Sequence, residues 1–151
     1  MKYLIVLYSK TGNTLGVAKR LQESLKCDLE EVKAKSDDSY NSKPELINIP
    51  DIKDYQHLIF ASPVHAFSLS GIMKAYLNQL PDLSGRTVDL FITHQFPFAW
   101  LGGNRSLKQM KKIVEYKNGV VRNLTSVNWG SKKRELVIES LLKSYVDEKT
   151  V

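Results

Sequence analysis

The sequence predicts an α/β fold, a three-layer, doubly wound domain built on a five-stranded parallel sheet. Apolar runs of strand length alternate with helical patterns through the whole chain, which is typical of repeated strand–helix units. No linker-like stretch divides the 151 residues. A chain of this length suits one domain, here residues 1–151, that buries about two thirds of its unfolded surface without a disulfide or a metal.

Five segments have the composition of strands. The first, third and fourth are nearly continuous apolar runs, as expected of parallel strands covered on both faces. The second strand alternates charged residues with Leu29 and Val32, which suits an exposed sheet edge. The predicted strands are residues 3–8, 27–33, 57–62, 87–93 and 120–129.

Helical periodicity follows four of these strands. The first helix places Leu15, Ala18, Leu21 and Leu25 on one face. Residues 34–54 are interrupted by prolines and small polar residues, so the helix expected there is short or absent. The last helix places Ile138, Leu141, Leu142 and Tyr145 inward, and the predicted helices are residues 14–26, 70–80, 104–117 and 132–146.

Composition excludes several classes of protein. The 22 basic residues exceed the 16 acidic ones, but they scatter over helix faces without the interleaved aromatics that stack nucleic-acid bases. The single cysteine, Cys27, has no partner for a disulfide or a metal site, which fits a reducing cytosol. The apolar stretch at residues 3–8 is too short for a signal peptide or a membrane span. We therefore expect a cytoplasmic protein with no nucleic-acid, membrane or metal partner.

The first strand leads directly into a loop of hydroxyl side chains and one glycine, and a helix begins at once. Short donors, loop amides and the positive end of the helix then converge on one point, which suits a phosphate dianion. Neither the Walker spacing nor the Gly-x-Gly-x-x-Gly dinucleotide fingerprint is present. A site for a single phosphomonoester remains, and its candidate residues are Ser9, Lys10, Thr11, Gly12, Asn13 and Thr14.

Ser9, Thr11, Gly12 and Thr14 resemble the Ser/Thr-x-Thr-Gly-x-Thr pattern of the flavodoxins, whose first loop holds the phosphate of FMN. Leu7 stands where flavodoxins usually carry an aromatic residue. The resemblance implies strand order 2-1-3-4-5 and FMN as the cofactor. In that order the carboxyl ends of strands one, three and four line one crevice.

The loop after the third strand contains small and apolar residues and a proline. In flavodoxins the matching Ser-Pro-Val segment, followed by an aromatic residue, covers one face of the isoalloxazine ring; here His65 takes the aromatic place. Since an imidazole can carry a proton near neutral pH, His65 is a candidate for tuning the flavin. The predicted contacts are Ser62, Pro63, Val64, His65, Ala66 and Phe67, although Phe67 also reads as a core residue.

The loop after the fourth strand is too apolar for a plain surface loop unless a flat ligand covers it. Its glycine pair would let the backbone approach a ring, but Gly-Gly-Asn also reads as a helix cap with Asn104 as the capping residue. His94 is a candidate proton donor, whereas His57 reads as structural. The predicted contacts in this loop are Thr93, His94, Gln95, Phe96, Trp100, Gly102 and Gly103.

Three functions fit these patterns. The first is an FMN-binding electron carrier, a monomer or weak dimer whose redox partner proteins are acidic, since flavodoxins are typically acidic and this chain has a formal charge of +6. The second is an FMN-dependent oxidoreductase that passes electrons from NAD(P)H to a quinone or a flavin. The third is a flavin-free interaction module. No catalytic residue is assigned with certainty.

Overall fold

The computed structural model describes residues 2–36, 43–65, 68–95 and 103–149. A parallel sheet forms its centre, with strands in the order β2-β1-β5-β7-β8. The predicted order 2-1-3-4-5 is thereby confirmed. These strands are β1 (Tyr3–Leu7), β2 (Asp28–Glu31), β5 (His57–His65), β7 (Thr87–His94) and β8 (Val120–Asn128).

Four helices cover the two faces of the sheet, with α2 and α3 packed in one core cluster and α1 and α4 in the other. The three-layer prediction is therefore confirmed. Alternate residues of the central strands face opposite layers, as Leu58 and Ile59 do. The helices are α1 (Asn13–Leu25), α2 (Gly71–Asn78), α3 (Gly103–Tyr116) and α4 (Arg134–Lys149).

The segment that gave no helical signal contains two short strands. β3 (Lys33–Ala34) pairs antiparallel with β4 (Leu46–Asn48) in a separate small sheet. The predicted second strand, residues 27–33, is consequently two elements separated at Val32, whose amide donates to Leu7 O at 2.7 Å. Residues 37–42 lie outside the described residues.

A buried carboxylate joins the last two strands. Asp89 in β7 is 1% exposed, and it accepts hydrogen bonds from the Arg122 guanidinium at 2.8 Å and from the Asn123 amide at 3.0 Å. The pairing register of β7 with β8 shifts at this point, so two residues of β8 lie opposite one of β7. The bulge thus supplies the donors that a buried charge requires.

Candidate functional site

The loop after β1 is organised by its own side chains. Gly12 has φ 95°, a left-handed conformation that glycine adopts without strain, and it immediately precedes α1. The Ser9 hydroxyl oxygen accepts from the Gly12 amide at 3.2 Å and from the Leu15 amide at 3.3 Å. Because this oxygen only accepts in both bonds, the Ser9 proton remains available to a ligand.

Several amides around the start of α1 have no acceptor within the described residues. The first intrahelical bond runs from Gly16 N to Gly12 O at 2.9 Å. Within the described part of the chain, the amides of Lys10, Thr11, Asn13 and Thr14 have no hydrogen-bond acceptor. Four such donors, together with the Ser9 hydroxyl and the positive end of α1, fit a phosphate group.

Two hydrogen bonds bring this loop against neighbouring strands. The Tyr8 amide donates to Ala61 O in β5 at 3.1 Å. The hydroxyls of Thr14 and Thr93 lie 2.8 Å apart, and the two side chains are 1% and 3% exposed. These bonds hold the end of β1 against β5 and the start of α1 against β7. Thr14 is a buried link to β7 as well as a phosphate candidate.

The segment after Ala61 corrects the prediction of a loop. β5 continues through His65 and turns back as β6 (Ser68–Leu69), which pairs antiparallel with it. Pro63 remains in register with Thr93 of β7, and the Ser62 hydroxyl is buried and donates to Pro63 O at 3.0 Å.

His65 lies at the tip of this hairpin, beside the first loop. Its imidazole is half-buried and tilted by 44° to the Tyr8 ring, with the ring centroids 6.1 Å apart. Val64 packs against the core that holds α2 and α3. The other two predicted contacts of this segment, Ala66 and Phe67, lie outside the described residues.

The predicted contacts after the fourth predicted strand begin at the carboxyl end of β7, on the same edge of the sheet as the first loop. His94 ends β7 and is 5% exposed, while the following Gln95 is exposed. Phe96, Trp100 and Gly102 lie outside the described residues, so their predicted contacts stay predictions.

Gly103 lies close to the sheet. This packing explains the glycine at position 103, whereas the sequence predicted that the glycine would approach a ligand. A Cβ at this position would lie 2.9 Å from Ser126 Oγ and 3.4 Å from both His94 Cδ2 and Ile92 Cδ1. α3 begins at Gly103, so Asn104 lies in its first turn, and the alternative of Asn104 as the cap is wrong.

The turn after β8 joins the same edge, which the sequence analysis missed. The Trp129 amide donates to His94 O at 2.7 Å. The Arg134 guanidinium lies 4.5 Å from the centre of the Trp129 ring and donates to its carbonyl at 2.7 Å. The sequence feature that could have indicated this contact is an aromatic residue at the carboxyl end of a strand of the central sheet. Trp129 stands in this position after β8, and Tyr8 does so after β1.

The remaining candidates fall into place away from this edge. His57 begins β5, hydrogen bonds to Thr87 and stacks on Tyr3 at 4.8 Å, in agreement with its structural interpretation. The described residues contain no cluster of three His, Cys, Asp or Glu able to hold a metal. Of the helices that the structure describes, none combines the length and the apolar character needed to cross a membrane.

Solved structures share this architecture. A flavoprotein from Lactobacillus acidophilus NCFM, solved in complex with FMN, has a TM-score of 0.65 at 20% identity, covering 83% of this chain and 92% of that one. Oxidised flavodoxin 2 from Bacillus cereus has a TM-score of 0.70 at 13% identity, covering 98% and 99%. This chain has the flavodoxin fold.

A WrbA-like flavodoxin from Agrobacterium tumefaciens matches the fold equally well, with a TM-score of 0.68 at 10% identity, covering 97% of this chain and 95% of that one. No protein-family model matches the sequence, and no curated protein does. The flavodoxin fold is thus carried by a sequence far from those structures.

Proposed function

We propose that this flavodoxin-like chain binds FMN at the carboxyl edge of its sheet and carries electrons between proteins. The observation that supports this most directly is the first loop, which combines the Ser9 hydroxyl, backbone amides without an acceptor in the described residues and the start of α1. A phosphate monoester carries two negative charges at neutral pH, and each such donor makes a charge-assisted hydrogen bond to it. FMN has this group at the end of its ribityl chain.

The residues divide the work of binding. Ser9, Thr11 and Asn13 hold the phosphate, and the Thr14–Thr93 hydrogen bond keeps their loop against β7. The hairpin of β5 and β6, with His65 near its tip, covers one face of the ring, and His94 and Gln95 approach the other. The bound flavin supplies the electron chemistry, while the protein binds and orients it and limits its contact with water.

Known structures support this assignment by fold. One neighbour was solved with FMN bound, and others are flavodoxins. Folds host different functions, so the site has to carry the argument. We favour a carrier over an NAD(P)H-dependent enzyme because no segment of the sequence identifies a nicotinamide site.

The visible spectrum of the purified protein tests the cofactor. We expect a yellow protein, or a colourless one that becomes yellow on incubation with FMN, and FMN as the flavin released on denaturation. A protein that stays colourless with FMN would contradict the proposal. Steady NADPH oxidation with an added quinone would instead assign the enzyme function.

Two variants separate the phosphate site from general effects. In Thr11→Ala, an exposed hydroxyl without intramolecular partners in the described residues is lost, and we expect FMN affinity to fall by about 1 kcal/mol or more. Ser140→Ala removes an exposed hydroxyl from α4 and should leave affinity unchanged. Equal affinities of the two variants, measured by quenching of flavin fluorescence, would remove the phosphate assignment.

A further inference from the structure

One face of α3 is strongly basic. Arg105, Lys108 and Lys112 are exposed and follow each other at spacings of three and four residues, which places them on one side of the helix. With Asn104 and Gln109 they line an open groove of about 460 Å³. Among the residues that the structure describes, no acidic side chain lines this groove.

The three cations are not used within the molecule. Across the described ranges, none of Arg105, Lys108 and Lys112 has an ion pair or a hydrogen bond from its side chain. The neighbouring Lys111 differs, since its Nζ lies 3.6 Å from the Glu115 carboxylate one turn further along. The basic groove therefore offers its charge to something outside the chain.

Helix stability does not account for this arrangement. The first turn of α3 contains Arg105 and no acidic residue, and its last turn contains Glu115 and no basic residue. Both ends oppose the helix dipole, which favours anions at the amino end and cations at the carboxyl end. A charge pattern that works against its own helix is better explained by a partner.

The basic groove is held next to the candidate site. The Gln109 side-chain oxygen accepts from the Ser68 hydroxyl at 3.0 Å and from the Leu69 amide at 2.9 Å. Both donors belong to β6, the returning strand of the hairpin that has His65 near its tip. At the other end, Gly103 packs α3 onto the carboxyl ends of β7 and β8. From Arg105 to Lys112 the groove extends roughly 10 Å along the helix.

We propose that the basic groove of α3 is the docking surface for an acidic protein, the electron-transfer partner of this chain. The proposal rests on the proposed function, since it assumes that electrons leave or enter at the adjoining flavin site. Charge complementarity identifies the partner: three unpaired cations in an open row match several carboxylates on a folded surface. The formal charge of +6 on the whole chain adds long-range attraction to such a partner.

A binding experiment tests the groove without any flavin. The probe is a fluorescein-labelled polyglutamate peptide, and the readout is its polarisation at low ionic strength. We expect R105E/K108E/K112E to bind at least tenfold more weakly than the unchanged chain, and the difference to shrink above about 0.15 M salt. R105E favours the helix dipole and K112E opposes it, so the helix content of the groove variant is checked by circular dichroism before its binding is compared.

The matched control changes the same net charge elsewhere. K2E/K19E/K53E replaces three exposed lysines: Lys2 just before β1, Lys19 in the middle of α1 and Lys53 in the turn before β5. We expect this control to lose far less affinity for polyglutamate than the groove variant. Equal losses in the two triple variants would overturn the proposal, because total charge alone would then explain binding.

A second measurement links the groove to electron transfer. The FMN-loaded protein is reduced, and its reoxidation by ferricyanide, in which each ferricyanide ion takes one electron and becomes ferrocyanide, is followed by stopped flow. The groove variant should react at least tenfold more slowly than the control at low salt, with a smaller salt dependence. Identical rates would overturn the role in electron transfer.

Flavin affinity is titrated on all three proteins in parallel. If FMN fails to bind any of them while polyglutamate still selects the groove, the proposed function fails and an acidic partner remains. If NADPH displaces polyglutamate from the groove at micromolar concentration, a nucleotide replaces the protein partner and the docking proposal is wrong.

Discussion

The hydrogen bond between Thr14 and Thr93 allows the tightest test of how the candidate site is assembled. The two residues are 79 positions apart, and the bond joins the first turn of α1 to β7 at 2.8 Å. Both side chains are almost completely buried, at 1% and 3% exposure. Replacing either by valine keeps the shape of the side chain and removes the hydroxyl.

The expected magnitude follows from what each variant leaves behind. In Thr14→Val or Thr93→Val, one buried hydroxyl loses its partner, which costs about 1–3 kcal/mol of unfolding free energy. In T14V/T93V no hydroxyl remains to be satisfied, and such paired replacement is nearly neutral. The double variant should therefore lose less stability than the sum of the single variants, by about 1 kcal/mol or more.

Urea denaturation of the flavin-free protein measures these differences, since bound ligand would add its own stabilisation. A constant slope of free energy against urea concentration shows that only native stability has changed. Thr125→Val in β8 is the control, because no hydrogen bond of the Thr125 hydroxyl occurs in the described residues. Additive losses, or single variants as stable as this control, would refute the link between α1 and β7.

Three further substitutions test packing and charge elsewhere in the fold. Gly103→Ala should lower the free energy of unfolding by about 1–3 kcal/mol, because the new Cβ would meet Ser126 Oγ. G103A/S126A should recover this loss in thermal unfolding, and a failure to recover it would show that the new Cβ clashes with the backbone instead. Asp89→Ala should cost about 3 kcal/mol because the paired guanidinium is left without its carboxylate, and a loss under about 0.5 kcal/mol would rank it with surface changes. The hydrogen bond to Asp28, with burial second, raises the pKa of Tyr55 from 10.0 to about 12. The stability from this bond is thus present below pH 10 and lost as pH rises towards 12; Asp28→Asn should lower the pKa in ¹³C-tyrosine NMR, and an unchanged titration would contradict the cause.

Much of the sheet could be predicted from the sequence because buried parallel strands are written as continuous apolar runs. The predicted strand 87–93 and the observed Thr87–His94 differ by one residue. The short ladder of Lys33–Ala34 with Leu46–Asn48 could not be predicted, since two or three residues carry no periodicity. A strand boundary that depends on a neighbouring strand also cannot be predicted from the local sequence. Pro63 belongs to β5 because it is in register with Thr93 of β7.

In the candidate site, too, local features could be predicted and contacts between distant segments could not. The strand, loop and helix order around Gly12 could be predicted because its parts are local: a strand end, a glycine and a helix start follow one another directly in the sequence. The role of Gly103 could not, because the atoms it approaches belong to His94 and Ser126, and the second of these is on another strand. A glycine pattern indicates a close approach without naming what is approached.

The phosphate end and the ring end of a bound flavin would respond differently to substitutions in the sheet. On the proposed function, the phosphate end would depend on one short segment whose hydrogen bonds run between neighbours in the sequence, and the Thr14–Thr93 hydrogen bond joins this segment to β7. On the same proposal, the ring end would depend on contacts between separate segments, such as Tyr8 with His65 and Trp129 with His94. Destabilising the sheet edge should therefore loosen the ring before the phosphate, because a local loop keeps its geometry when long-range contacts weaken.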